Sequence, residues 1–193
     1  MSRILLDIGA GDSSFVNQFK NLNPGLCETF LIGEPHFKKV WAGSVWWRQM
    51  YQVRASYENF GVSDGSLDLV TLNAFHPLNS LGNIVGEVVR SLRVGGLFIS
   101  AHPVGLHPKV ESPSLIQCIK PSTFVKRSGW LVPSFEATLD VEGYGNIRYP
   151  ASPTIAERLL ILTYPALRKH ARMGSYIYRN INTVPDVAVW QRV

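Results

Sequence analysis

Apolar and polar positions alternate along the first hundred residues in a way that separates short buried segments from amphipathic ones. Ile4, Leu5, Leu6 and Ile8 form an almost continuous apolar run, the pattern of a central strand covered on both faces, with Asp7 interrupting it near the end. Gly9 and Gly11 permit a tight turn and a close approach of main chain to a ligand. Asp12, Ser13 and Ser14 are suitable caps for a helix from about Ser14 to Asn21, which Asn23-Pro24-Gly25 stops. A second strand over Thr29–Gly33 ends on Glu34-Pro35. Phe37, Val40, Trp41, Ser44 and Val45 then recur at helical spacing, with Pro35 near the first turn and the rings of Trp41, Trp46 and Trp47 available for packing. Tyr51–Ala55 makes a weak third strand and Leu67–Asn73 a clear fourth, stopped by Pro77, with an uncertain helical element between them. Leu81, Ile84, Val85, Val88, Val89 and Leu92 predict a helix with one sheet-facing stripe. Arg93-Val94-Gly95-Gly96 closes it with a left-handed glycine, and Leu97–Ala101 is the fifth strand.

Alternation of this kind predicts an α/β chain built on an open, mostly parallel sheet. Ligands of such sheets bind beyond the carboxyl ends of the strands, near the point where strand order reverses. Asp7, Glu34, Asn73 and His76 all stand at or just past strand carboxyl ends, which predicts a shared site. Farther on, His102 to Pro108 forms a constrained loop, Pro121–Gly129 a short helix, and Trp130–Val141 a sixth strand with Pro133 near an edge or bulge. An insertion follows at Gly143-Tyr144-Gly145-Asn146, with helical segments opened by Ser152-Pro153 and by Pro165. Tyr176-Ile177-Tyr178 is expected as the last strand, returning antiparallel, and Ile181–Val193 as a tail.

With 193 residues, 46% hydrophobic and 17% charged, the chain suits one globular domain. No apolar run approaches the roughly 20 residues that cross a bilayer, and Asp7 and the glycines interrupt any signal-peptide core. A cytoplasmic location without membrane contact is expected. Cys27 and Cys118 lie in no CxxC or Cys/His cluster, so neither a disulfide framework nor a metal site is indicated. The net charge of +5 is uneven: residues 1–100 hold eight Lys/Arg against eight Asp/Glu, and residues 101–193 eleven against six. That excess suits either an anion-binding face or a plain solvated surface.

Four segments, in order, resemble the class I S-adenosylmethionine-dependent methyltransferases. The family's Asp-x-Gly-x-Gly-x-Gly stands here as Asp7-Ile8-Gly9-Ala10-Gly11-Asp12-Ser13, its acid after the second strand as Glu34, its Asp-Gly-Ser-Phe-Asp-Leu-Val as Asp64–Val70, and its Leu-x-Pro-Gly-Gly as Leu92–Gly96. The resemblance covers about Ser2 to Ala101. It implies a Rossmann-like α/β fold: a mostly parallel seven-stranded sheet with an antiparallel last strand and helices on both faces. Residues 1–193 would be one domain, with a cofactor-binding half over 1–101 and a substrate-side half over 102–193 carrying a helical insertion at about 152–173. It implies S-adenosylmethionine as cofactor, oriented by Asp7 at its amino-acid end, admitted along its methionine and ribose portions by the loop of Gly9, Ala10 and Gly11, held by Glu34, which Pro35 follows in the cofactor-binding set, at the ribose hydroxyls, by Ser56 or Tyr57 at the adenine, and by Asn73 and Phe75 beneath the methyl. A carboxylate accepts from both ribose hydroxyls more strongly than a neutral side chain does.

A nicotinamide enzyme, which also uses a glycine turn and an acid after the second strand, would require glycine where Ser14 stands. The resemblance departs at Ser13, in place of the third glycine, and at Ala55-Ser56-Tyr57, where relatives carry an acid. The chain also starts directly on the first strand without covering helices, which predicts an open cofactor site or a partner or dimer that closes it. The motif of amino-group nucleic-acid methyltransferases would need prolines at Ala74 and Phe75. Methyl transfer needs alignment and the removal of any acceptor proton, for which His76 and His102 are substrate-side candidates. Arg168, Lys169 and Arg172, with Tyr164, Tyr176 and Tyr178, could grip RNA. The reading is therefore methyl transfer to a small-molecule or RNA acceptor; its alternative is a catalytically inactive, methyltransferase-like binding or assembly subunit.

Overall fold

The computed structural model describes residues 2–8, 14–34, 50–56, 58–73, 81–103, 110–123, 125–127, 134–150 and 185–193. Within them, five strands follow the expected positions: β1 (Ile4–Ile8), β2 (Thr29–Glu34), β3 (Met50–Arg54), β4 (Leu67–Asn73) and β5 (Leu92–Pro103). Helices α1 (Ser14–Leu22) and α2 (Leu81–Ser91) also match. Two further strands, β6 (Leu115–Thr123) and β10 (Pro185–Arg192), complete a seven-stranded sheet in the order β3-β2-β1-β4-β5-β10-β6. Strands β1 to β5 are parallel, and β10 runs antiparallel to both of its neighbours. The antiparallel last strand is thus as expected in direction but differs in place: it lies in what the sequence suggested as a tail, while 176–178 fall outside the described residues.

Each face of the sheet has its own apolar layer. Leu5, Phe30, Ile32, Leu69, Ile99 and Val189 pack with Phe15, Val16 and Phe19 of α1. Leu6, Ile8, Val70, Leu72, Phe98 and Trp190 pack on the other face with Ile84 and Val88 of α2. The two-residue period of the strands separates these sets. At the centre of the second layer the rings of Phe98 and Trp190 stack with centroids 5.3 Å apart.

The described residues within 121–129 are strand rather than the expected helix. Pro121 to Thr123 end β6, and Val125–Arg127 form β7. Thr123 and Val125 favour extended backbone, and proline is tolerated in β6 because that strand lies at the edge of the sheet. The segment expected as the sixth strand is, from Ser134, strand β8 (Ser134–Val141) of a separate antiparallel sheet β7-β8-β9, with β9 at Gly145–Pro150. Gly143-Tyr144-Gly145-Asn146 is accordingly the tip of a hairpin, with Gly143 and Gly145 at φ 78° and 72°. Ala137, Leu139, Val141, Ile147 and Tyr149 of this second sheet join the α1 layer. Where helices alone were expected over that face, a sheet shares it with α1.

The helix at Phe37–Val45 and the insertion at 152–173 lie outside the described residues. Between β3 and β4 the described residues show no helix but a bridge between Ser56 and Asn59. The glycines after α2 lie at the bulged start of β5 rather than at the helix exit. Gly95 has φ 79°, and a Cβ on Gly96 would stand 2.9 Å from the Arg93 carbonyl oxygen.

Candidate functional site

The register brings the expected site residues to one edge. Ile8, the last residue of β1, lies between Gly33 of β2 and Leu72 of β4, and Asn73 of β4 lies beside Ala101 of β5. Glu34, the chain leaving Ile8, Asn73 and His102 therefore stand at the carboxyl ends of four adjacent strands, neighbours being about 4.8 Å apart. Between β1 and β4 the order of the strands reverses, the place where open α/β sheets bind ligands.

Asp7 is 1% exposed and faces the α1 layer. The hydroxyl of Thr71, its register partner on β4, donates to Asp7 Oδ1 at 2.7 Å. Thr71 is a contributor that sequence reading missed: it is 64 positions away, and only the strand pairing reveals it. Gly33 sits where a Cβ would stand 3.0 Å from both the Ala55 Cβ and the Ile8 Cδ1. Its missing side chain lets the ends of β1, β2 and β3 close together beside Glu34. Ser56 is half-buried and held by two backbone hydrogen bonds with Asn59, of 2.7 and 3.2 Å. Gly9, Ala10, Gly11, Pro35, Tyr57, Phe75 and His76 lie outside the described residues.

Helix α1 is fixed from both ends. Phe15, in its first turn, packs 5.1 Å from the ring of Tyr149 on β9. Asn23, just past its last turn, donates from Nδ2 to the carbonyls of Phe19 and Arg148 and accepts from the Arg148 N–H, each at 2.8 Å. The second sheet thus supports α1.

The Asp64-Gly65-Ser66 segment serves the scaffold. Arg90 of α2 donates to Asp64 and to the Val62 carbonyl while gripping both Glu87 oxygens at 2.8 Å, and Gly65 N–H donates to the Arg90 carbonyl. Those hydrogen bonds hold the Glu87 carboxyl below the usual range. At the amino edge, Asp68 accepts from the Ile4 N–H at 2.7 Å and pairs with Arg93 at 2.7 Å. Tyr144, at the hairpin tip, lies within 3.2 Å of the Asp68 and Gly95 carbonyl oxygens, under the Arg3 guanidinium. Burial pushes its hydroxyl up. Among the described residues no group of three or more His, Cys, Asp or Glu could hold a metal ion, and no helix is long and apolar enough to cross a membrane.

No family model and no curated protein matches the chain. Solved structures do. Geranyl diphosphate C-methyltransferase from Streptomyces coelicolor A3(2), in complex with Mg2+, geranyl diphosphate and S-adenosyl-L-homocysteine, aligns over 100% of this chain and 71% of its own at a TM-score of 0.56 and 12% identity. A methyltransferase dependent on S-adenosylmethionine from Archaeoglobus fulgidus aligns over 99% and 86%, at 0.51 and 14%. Another, from Mesorhizobium loti, aligns over 98% and 90%, at 0.50 and 14%. The chain has the fold of the S-adenosylmethionine-dependent methyltransferases. In this fold Asp7, Glu34 and Asn73 lie at or next to the carboxyl ends of β1, β2 and β4.

Proposed function

We propose that the chain binds S-adenosylmethionine at the carboxyl edge of its sheet and catalyses methyl transfer to a small-molecule or RNA acceptor. The observation that carries this reading is the antiparallel β10 between β5 and β6, combined with Asp7, Glu34 and Asn73 on adjacent strand ends at the reversal of strand order. A doubly wound nicotinamide-binding sheet would have a further parallel strand there.

The residues fit an adenosyl group by their chemistry. Glu34, ending β2, supplies two acceptor oxygens for the two ribose hydroxyls. Gly9 and Gly11 leave main chain open to the ligand, and Asp7, held by Thr71, orients its amino-acid end. By the resemblance in sequence, Ser56 or Tyr57 contacts the adenine, Ala10 and Pro35 belong to the cofactor-binding set, and Asn73 and Phe75 line the cofactor beneath the methyl group. When bound, S-adenosylmethionine supplies an electrophilic methyl carbon on a positively charged sulfur. The protein aligns the acceptor with that carbon, and such alignment supplies much of the rate in a displacement of this type. His76 and His102 stand on the acceptor side.

Calorimetric titration with S-adenosylmethionine and S-adenosylhomocysteine tests the reading. Saturable heat with both ligands is expected, and none with either would refute it. Glu34→Ala should weaken binding by about 1.5–3 kcal/mol, the range for hydrogen bonds to a charged group; unchanged affinity would refute the ribose assignment.

A further inference from the structure

Helix α2 carries two rows of side chains. Ile84 and Val88 belong to the second apolar layer, and Asn83, Glu87 and Arg90, at i, i+4 and i+7, form a polar row beside them. By pattern alone such a row belongs to water. In the fold it holds the connection that leaves the carboxyl end of β3 for the start of β4. Asn83 Nδ2 stands 3.5 Å from Glu58 Oε1, and Glu87 Oε2 accepts from the Phe60 N–H at 2.9 Å. Arg90 donates to the Val62 carbonyl at 2.9 Å and to Asp64, and the Gly65 N–H donates to the Arg90 carbonyl at 2.9 Å.

Glu87 is the centre of this row. Arg90 grips both of its oxygens at 2.8 Å, which fixes the carboxylate where it meets the Phe60 N–H. Phe60 is fully buried in the layer that also contains Ala55, Ile84 and Val88. One residue earlier, Asn59 exchanges two backbone hydrogen bonds with Ser56 and accepts from the Gly61 N–H through Oδ1 at 2.7 Å. The Ser56–Asn59 bridge is therefore anchored at one end by buried Ala55 and at the other by Phe60 on Glu87.

We propose that Glu87 is a positioning residue for adenine recognition, setting the Ser56–Asn59 bridge against the cofactor base through Phe60. This rests on the methyltransferase reading of the preceding section, which assigns the adenine to Ser56 or Tyr57. The bridge stands past the carboxyl end of β3, the strand beside β2 and its terminal Glu34. A ribose held at Glu34 thus has the bridge on the neighbouring strand for its base. Asn59 engages the N–H and carbonyl of Ser56, and the hydroxyl of this half-buried residue can accept from the exocyclic amino group of adenine. Without the Glu87 carboxylate the Phe60 N–H loses its acceptor, and the connection loses its central tie to α2. A hydrogen bond weakens steeply once its distance and angle are lost, so the base contact should weaken with it.

The test is calorimetric titration of the full chain with two ligands. One is S-adenosylhomocysteine, and the other is its analogue with hydrogen in place of the exocyclic amino group. The unsubstituted chain should prefer the first by about 2- to 10-fold, the worth of one ordinary hydrogen bond, and the preference should fall toward unity in Glu87→Ala. Loss of folded chain raises both dissociation constants alike, so a merely structural role leaves their ratio unmoved. Glu87→Gln keeps an acceptor for the Phe60 N–H and should recover the ratio. No preference in the unsubstituted chain, or one retained in full by Glu87→Ala, would overturn the proposal. Should the alanine variant not fold, hydrogen exchange of the unsubstituted chain decides: slower exchange of the Phe60 amide on saturation with S-adenosylhomocysteine supports the coupling, and unchanged exchange overturns it. Absent heat with both ligands would remove the methyltransferase reading itself, whereas heat with a ratio untouched by Glu87→Ala would remove only the role of Glu87.

Discussion

Thr71→Val exchanges one hydroxyl for a methyl at the centre of the sheet and tests how Asp7 is held. Thr71 is fully buried and Asp7 is 1% exposed, and the bond between them measures 2.7 Å. Hydrogen bonds to a charged group contribute about 1.5–3 kcal/mol, and here the lost donor is replaced by an apolar group against a buried carboxyl. The loss should therefore fall in that range. For a domain of this size each kcal/mol corresponds to about 2–4 °C in melting temperature, so a fall of about 3–12 °C is expected. Thr71→Ser keeps the donor and should recover most of the loss. Denaturant unfolding of the unsubstituted chain, both variants, Asp7→Asn and the double variant Asp7→Asn/Thr71→Val would isolate the coupling. A loss under about 0.5 kcal/mol for Thr71→Val, or no recovery by serine, would refute the reasoning, because the hydroxyl would then have no measurable role in holding the carboxyl.

Asn23→Ala strips three hydrogen bonds and leaves the Arg148 N–H and carbonyl without them. Unfolding in urea should show a loss of about 2–4 kcal/mol, from the penalty of about 1–3 kcal/mol per orphaned buried group. The Cys27 thiol is pushed up to about 12, first by burial and then by Asp68. A thiol-reactive disulfide should therefore modify the exposed Cys118 in the native chain and reach Cys27 only on unfolding, as counted by mass spectrometry. Glu87 has its carboxyl lowered from 4.5 by the Arg90 hydrogen bonds. Its stabilising contribution is complete above about pH 4.5 and disappears as pH falls through the lowered folded value. Glu87→Gln should thus be less stable than the unsubstituted chain at pH 7, with the difference shrinking toward pH 3 in thermal melts.

Sequence pattern was most legible where one signal dominated. Strands β1, β2 and β4 are dense apolar runs ended by polar residues, and α1 and α2 carry clear apolar stripes, so their bounds emerge within about a residue or two. Strand β6 carries no such signal: along its edge Ile116, Gln117 and Cys118 are all exposed in succession, which hides the two-residue period. Strand β10 escapes for the opposite reason. Val187, Ala188, Val189 and Trp190 are buried on both faces, and a run of four is too short to separate a central strand from a tail. The second sheet was hidden by its turn, because Gly143 and Gly145 mark a hairpin only once the flanking segments are known to pair. At the candidate site the residue types at strand ends were visible, while Thr71 was not. It acts across strands from a distant part of the chain, and register has no local signature.

Because β10 lies between β5 and β6, the sheet is completed by insertion of a late segment rather than by adding to an outer border. A nascent chain emerging from the ribosome could assemble β1 to β5 with their helices, yet β6 would lack its ladder partner in the seven-stranded sheet until Pro185–Arg192 had cleared the exit tunnel. Such distant pairing slows folding and leaves sticky surface exposed meanwhile. Chaperone dependence should consequently persist until Pro185–Arg192 has been synthesised.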